Sequence, residues 1–449
     1  MQRVNIGMIG GGTVGSGVCH AWRQNGRIMA ARIGVEVAFR KIAVKSFDEP
    51  RPYPITRSLM TTNWQEVVND PEIQVIIELV GGTGIAKTMV LAALAQGKTV
   101  VTANKALLSA HGPELFAAAE KNNVNLYYEA SVCGGIPIIK SMREGFVANQ
   151  FPAIYGIVNG TCNYILSRMK AEGADFADVL AEAQKKGYAE TPPDLDIDGF
   201  DAQHKTGILA SLAHGFWVDH HKIHTEGIRE VSKLDMQFAQ QLGYTIKLLG
   251  IVKQSSVQSP KSKARSAKSE VRSAGIQVSV YPTLIPNSHV LASVNGVFNA
   301  CFVRGDIVGD TLFYGRGAGK DATASAVLSD VADAALDLKN GGKVRVLPFV
   351  KHNGEDSVVP MDQIVSQYYV RLSVVDRPGV LAKVSSILAS ARIGIASVIQ
   401  PEAHEGEIVP LILMLHEAPN GAMRKALAKI ATLPVVKAKP VMFRVESLG

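Results

Sequence analysis

The stretch "RVNIGMIGGGTVGSGV" at 3–18 constrains this chain more than any other. An apolar run at 4–9 leads straight into Gly10, Gly12 and Gly15, spaced G-x-G-x-x-G, and a helical pattern follows. In that setting Gly10 permits a tight turn, Gly12 lets a pyrophosphate approach the backbone, and Gly15 lets helix and strand pack closely. The amides that follow, including Thr13 and Val14, sit at a helix N-terminus, where backbone N–H groups hold an anion. The signature alone is weak; its position at the head of a βαβ series strengthens it. Candidate strands fall at 4–9, 35–44, 75–79, 99–102 and 124–129, with helical stretches at 85–96 and 112–121. Such alternation implies a parallel sheet covered by helices on both faces. Residues 1–130 are therefore expected to form a Rossmann-type, NAD(P)-binding α/β domain.

An NAD site usually ends its second strand on an acidic residue that bonds the ribose 2′-hydroxyl. Here "AFRKIAVKSF" offers Arg40, Lys41 and Lys45, with no carboxylate before Asp48. Cations at that point favour a 2′-phosphate, so NADP(H) is expected over NAD(H). The competing reading, solvated surface cations, stays open.

Residues 131–365 change character. Alternating apolar stretches ("IQVSVYPTLIP", "HVLASVNGVFNACFVRGDIVG") mix with long helical ones ("DFADVLAEAQKKGY", "DAQHKTGILASLAHGF"), which suggests an α+β unit. Residues 366–449 then read as strand, Pro-Gly turn, amphipathic helix and strand, with a similar run after it. That is a βαββαβ pattern of the ferredoxin-like type. At 449 residues, 47% hydrophobic and 19% charged, the chain can build two or three domains with real cores.

Several function classes are set aside. No run approaches 18 apolar residues, so no transmembrane helix is expected, and the immediate strand pattern at the N-terminus leaves no room for a signal peptide. Four cysteines without CxxC spacing fit a reducing cytoplasm, and Cys133 reads as a small buried thiol. The net charge of +7 is uneven: 253–272 holds six basic residues and one acidic. Almost without apolar residues and with no interleaved aromatics, the insert at about 253–273 reads as a mobile surface loop and not a nucleic-acid site. The histidines of "AHGFWVDHHKIHTEG" match no common zinc spacing and read as surface residues.

The stretch "GYAETPPDLDIDGFDAQHK" at 187–205 crowds Glu190, Asp194, Asp196, Asp198 and Asp201 together and ends on Lys205. Such crowding needs a cation. Calcium fails, because an EF-hand loop started at Asp194 puts Lys205 at position 12, where a bidentate glutamate belongs. Pro192 and Pro193 also forbid an entering helix. A ligand ammonium, Lys205 itself and a merely solvated acidic loop remain. Asp201 and Lys205 are i and i+4, on one helix face, where a carboxylate can orient an ammonium or form an ordinary surface pair.

With these motifs in hand, the chain resembles homoserine dehydrogenase over nearly its whole length. The resemblance rests on "GGGTVGSGV", "ELVGG", "GKTVVTANKALLSAHG", "YYEASVCGGIPII", "NGTCNYIL", "GYAETPPDLDIDGFDAQHK" and "YGRGAGKDATASAVLSD". The tail, with "VVDRPGVLAKVSSIL", is similar to an ACT domain. The resemblance implies reversible, NAD(P)H-dependent reduction of L-aspartate 4-semialdehyde to L-homoserine, in the biosynthesis of threonine, methionine and isoleucine. It implies a substrate-binding and dimerisation domain at 131–365 and an ACT regulatory domain at 366–449. It also implies roles for single residues. Lys105 resembles the lysine near substrate and nicotinamide, and Lys205 the proton donor to the developing alkoxide. Glu190 is similar to the residue that takes the substrate ammonium, with Asp196 and Asp201 beside it and Gly187 at the substrate–cofactor contact. Gly317 and Gly319 resemble a second cofactor-side loop. Glu129, Val132, Gly134 and Ile136 resemble a structural sodium site built mostly from backbone carbonyls. Threonine as effector and a homodimer or homotetramer are implied by the ACT resemblance alone. Carbonyl reduction develops negative charge on oxygen, so a lysine acid there is chemically apt. An alternative, a ligand sensor that has lost activity, is opposed by the intact Lys105, Glu190, Asp201 and Lys205.

Overall fold

The structure, a computed structural model, describes residues 1–255, 275–342, 346–352, 357–401, 404 and 406–448. The chain divides into two compact units. One comprises residues 1–154, 204–221 and 298–354; the other comprises 155–203, 222–297 and 355–449.

The first unit is built on a sheet of β1 (Gln2–Ile9), β2 (Val35–Ala43), β3 (Met60–Thr61), β4 (Val75–Glu78), β5 (Thr99–Thr102) and β6 (Leu126–Tyr127), in the order β3-β2-β1-β4-β5-β6. The pairings are parallel. The stretches "VIIE" of β4 and "TVVT" of β5 are buried at every position, as a parallel sheet covered on both faces requires. Its helices are α1 (Thr13–Ile33), α2 (Gln65–Val68), α3 (Gly84–Ala95), α4 (Lys105–Lys121) and α5 (Ile138–Lys140). The expected Rossmann-type sheet is present.

Two elements differ from the sequence reading. Helix α4 starts at Lys105 and not at 112, because the Asn104 side chain caps it by accepting from the Leu107 amide at 3.0 Å. Gly112 and Pro113, at the expected start of the helix, lie inside it. A Cβ on Gly112 would stand 2.2 Å from the Trp217 ring, which explains the glycine. Strand β6 is short because the chain turns into a single helical turn at Glu129–Ser131. Two later strands, β11 (Phe298–Gly305) and β12 (Gly309–Arg316), form an antiparallel hairpin, and α11 (Lys320–Lys339) packs along α1.

The second unit holds β7 (Ala153–Ile157), α6 (Gly160–Glu172), α7 (Phe176–Lys185), α8 (Asp194–Ile197), the start of α9 (Phe200–His214), β8 (His224–Thr225), α10 (Lys233–Gln241), β9 (Tyr244–Gln254) and β10 (Ile276–Pro286). After them come β13 (Val365–Val375), α12 (Val380–Ser390), β14 (Ile395–Ile399), β15 (Ile408–Pro419), α13 (Asn420–Ala431) and β16 (Val441–Val445), the expected βαββαβ. Gly379, at φ +84, makes the turn into α12. The C-terminal module has its own apolar core, with Leu372, Val384, Leu388, Leu411 and Ile430 within it. Its sheet nonetheless continues beyond the module: β16 pairs in parallel with β10, Thr283 opposite Arg444, giving the order β7-β9-β10-β16-β13-β15-β14.

Most of the expected basic loop, 256–274, lies outside the described residues. Lys253 belongs to β9, where it bonds the Glu446 carboxylate at 3.2 Å. Among the described residues, no helix is long and apolar enough to cross a membrane.

Candidate active site

The glycines at the end of β1 do different jobs. Gly10 is at φ +107, and a Cβ there would lie 2.6 Å from the Leu79 carbonyl carbon. A Cβ on Gly15 would lie 2.1 Å from the Gly10 carbonyl oxygen. Those two let the chain pack against itself. Gly12 has nothing within 4 Å of where a Cβ would stand, and it precedes the free amides of the first turn of α1. An open space at a helix N-terminus with no acidic residue in the first turn fits a dinucleotide pyrophosphate. Thr13 and Val14 are the first two residues of that helix.

A second glycine loop closes in from the far end of the sequence. A Cβ on Gly317 would run into the Asn299 side chain at 2.0 Å, and Gly319, at φ +110, precedes α11. Gly17 lets the start of α11 approach α1: its Cβ would lie 2.8 Å from the Lys320 carbonyl oxygen. Below the loop, the buried Glu78 accepts from the amides of Val80 (2.7 Å) and Gly81 (3.2 Å) and from the Thr102 hydroxyl (2.6 Å). Asn104 donates to the Gly82 carbonyl at 2.7 Å. These bonds fix the 80–82 loop and the start of α4, whose first residue is the partly buried Lys105.

The cations of β2 divide. Arg40 lies within the strand and pairs with Asp70 at 2.9 Å and with Glu72, so its charge is already balanced. Lys41 likewise pairs with Glu66 at 3.3 Å. Lys45, just beyond the strand, is exposed. Arg51 was missed by the sequence reading. Its Nε donates to the Gly11 carbonyl at 2.9 Å, and its Nη1 donates to Phe47 and Glu49 carbonyls at 3.0 Å, tying the segment after β2 to the glycine loop.

Lys205 is buried, with 8% of its surface exposed. It lies within electrostatic reach of Cys301, whose thiol the Cys133 hydrogen bond and burial push well up while the lysine pulls it down. The Cys133 and Cys301 sulfurs are 3.6 Å apart, and all four cysteines are buried thiols outside any disulfide. Cys133 is thus a packed thiol.

The carboxylates of 187–201 separate into two groups. Asp194 and Asp198 pair with Arg229, a cation that the sequence reading did not consider. Asp196 and Asp201 share one partner: the Asn159 amide donates to Asp196 at 2.7 Å and to Asp201 at 2.8 Å. The Asn159 side-chain oxygen Oδ1 accepts from the Cys162 amide at 2.8 Å, capping α6. Thr161 donates to the Tyr188 carbonyl at 2.6 Å and to Asp196 at 3.2 Å. Asn159 and Thr161 lie in the quoted "NGTCNYIL", and the N-cap position of Asn159 was the signal available. Gly187, at φ +72, and Glu190 are exposed beyond the end of α7. Asp201 and Lys205 lie one turn apart on α9.

At 129–136 the chain makes a buried, oxygen-rich loop. Glu129 accepts from the amides of Ile139 (3.0 Å) and Lys140 (2.7 Å), and burial pushes its carboxyl up to about 7 against those bonds. Val132 and Ile136 are buried, and Gly134 is at φ +46, against the Gly317 carbonyl. Hard oxygen donors suit a hard cation. Because the Glu129 carboxylate is committed to the start of α5, backbone carbonyls would carry most of the coordination. Elsewhere, Asp219, His220 and His221 hold their donor atoms within 4.8 Å of one another on a partly exposed turn, one short of a closed tetrahedral set.

A family model described as "Homoserine dehydrogenase, NAD binding domain" matches residues 10–129, one described as "Homoserine dehydrogenase" matches 137–332, and an "ACT domain" model matches 368–432. Homoserine dehydrogenases of Neisseria gonorrhoeae and Pseudomonas aeruginosa are 40% and 41% identical, each over 100% of this chain and of the relative. A crystal structure of a homoserine dehydrogenase from Thiobacillus denitrificans is 40% identical, with a TM-score of 0.91 over 100% of this chain and 99% of that one. A hyperthermophilic archaeal homoserine dehydrogenase in complex with NADPH is 27% identical, with a TM-score of 0.59 over 75% of this chain and 98% of that one.

Proposed function

The chain belongs to the homoserine dehydrogenase family, NAD(P)-dependent oxidoreductases that interconvert L-homoserine and L-aspartate 4-semialdehyde, and we propose the following division of labour among its residues. Lys205 gives the proton to the developing alkoxide in reduction and takes it back in oxidation. Lys105 stabilises the same oxygen as negative charge grows on it. Glu190, Asp196 and Asp201 receive the substrate ammonium, with Gly187 leaving room at the contact. When bound at the glycine cradle of Gly10, Gly12 and Gly15, with Gly317 and Gly319 on the second loop, the nicotinamide cofactor supplies or accepts the hydride.

The observation that carries this reading is the burial of Lys205 one helical turn from Asp201, whose carboxylate Asn159 holds in place. A lysine shielded from water, with an oriented carboxylate on the same helix face, is suited to proton transfer. Lys205→Ala should lower kcat by roughly 10²- to 10⁴-fold with little change in KM, the loss of one acid–base group. Near-normal turnover would contradict the assignment.

Four finer points extend the proposal. NADP(H) is preferred over NAD(H), supported by the lack of a carboxylate between the end of β2 and Asp48 and by exposed Lys45; a kcat/KM comparison of NADPH with NADH tests it. A sodium ion binds on carbonyls of Glu129, Val132, Gly134 and Ile136, tested by thermal shift in sodium against N-methylglucamine. An amino acid, threonine by resemblance, acts through the ACT module, tested by initial rates with and without it. The enzyme works in the cytoplasm as a homodimer or homotetramer, with the assembly read by light scattering.

A further inference from the structure

The segment from the end of β8 into the first turn of α10, residues 226–235, touches two regions that the reaction and the ACT module assign to different tasks. On one side it meets the C-terminal module through charge. Arg444 of β16, with a fully buried side chain, grips the Glu226 carboxylate with both terminal nitrogens at 2.8 and 2.9 Å, donates to Asn420 and lies over the Tyr281 ring at 4.4 Å. Asp235, fully buried, accepts from Arg371 of β13 at 2.7 and 3.1 Å and from the Tyr369 hydroxyl at 3.0 Å. The same Asp235 closes the capping box that starts α10.

On the other side the segment meets the carboxylate loop. The Ile228 amide donates to the Ile197 carbonyl at 2.8 Å. A Cβ on Gly227 would stand 2.1 Å from that same oxygen and 2.5 Å from the Asp198 Cα, so only glycine allows this approach. Arg229 then pairs with Asp194 and Asp198 at the two ends of α8. Asp196 stands between them and is held from behind by Asn159 and Thr161. From Arg444 to Asp196, every link is a hydrogen bond, an ion pair or a short run of backbone.

We propose that Arg444, Glu226 and Arg229 are positioning residues for the substrate: the Glu226–Arg444 pair fixes residues 226–229, and these fix the loop that presents Asp196. The last strand of the ACT module is then a working part of the substrate site's support. A bidentate guanidinium–carboxylate pair sets orientation as well as distance, which a strap of four residues needs if it is to hold a loop in one register. The proposal rests on the reading of Asp196 as a substrate carboxylate.

The test uses Arg229→Gln and Arg444→Met in the full-length enzyme, with Asp196→Asn measured alongside. Arg229 is half-exposed and buries no core, so its variant should fold normally. Both arginine variants should raise the KM for homoserine by about 3- to 30-fold, with kcat and the KM for NADP⁺ within about twofold of the parent. A merely structural loss would move the parameters together. An unchanged homoserine KM in Arg229→Gln overturns the proposal, whatever Arg444→Met does. An unchanged homoserine KM in Asp196→Asn instead overturns the assignment of Asp196 and leaves the strap contacts to be judged by the arginine variants.

Discussion

The glycine cradle and the carboxylate loop both manage charge, and they do it by opposite means. The cradle is built from backbone and from missing side chains. Gly10 and Gly15 let the chain touch itself, and Gly12 leaves a gap at the N-terminus of α1. The carboxylate loop is built from side chains that arrive from elsewhere. Asn159 holds Asp196 and Asp201, Arg229 holds Asp194 and Asp198, and Arg444 holds the segment that carries Arg229. A cradle of this kind is specified by a few adjacent residues. A loop of the other kind is specified by partners up to hundreds of residues apart.

Substitutions should therefore fail differently in the two regions. The largest effect is expected for Gly15→Val, whose side chain would meet a backbone carbonyl that cannot move aside. Loss of several kcal/mol of cofactor binding, on the order of 10³-fold in kcat/KM, should follow, and the thermal shift on adding NADP⁺ should vanish. A normal shift would mean that the cradle is not specified by its glycines.

Asn159→Ala should act next most strongly. It removes the donor shared by Asp196 and Asp201, and two carboxylates left without it should repel the loop out of place. A cost of about 1–3 kcal/mol, roughly 5- to 150-fold in the KM for homoserine, is expected from steady-state kinetics. An unchanged KM would show that side-chain clamps do not set this loop.

The smallest effect concerns acid. Burial opposes ionisation of Glu226, but bonds from His224 and Arg444 bring its carboxyl down to about 2. A carboxyl held below its unfolded value contributes stability that is complete above the ordinary carboxylate range and is lost as pH falls toward 2. Glu226→Gln should lower the melting temperature most at neutral pH, where the pair's stability is fully present, and so flatten its fall between about pH 5 and 2. A parallel acid profile in the variant would remove Glu226 from the account.

The same contrast explains what the sequence disclosed. The cradle lies in one contiguous stretch with a fixed spacing, so Gly10, Gly12 and Gly15 could be read directly. The βαββαβ pattern was equally local, down to the Pro-Gly turn before α12. The acidic stretch announced a need for a cation but not the answer, because Arg229 lies 31 residues beyond Asp198. Asn159 sat in a quoted motif without a role, since one amide bridging two carboxylates is a matter of three-dimensional aim. The partners of Arg40 were hidden for the same reason: Asp70 and Glu72 are brought up to it by the turn before β4. The continuity of β10 with β16 was invisible too, because strand partners more than 150 residues apart leave no periodic mark.

The central claim is that the carboxylate loop owes its form to side-chain clamps that the nucleotide cradle does not share. The most direct measurement is a fluorescence titration of Asn159→Ala with NADP⁺, beside its homoserine KM. The account predicts a Kd for NADP⁺ within about twofold of the parent while the homoserine KM rises. A Kd that weakens in step with the homoserine KM would contradict it.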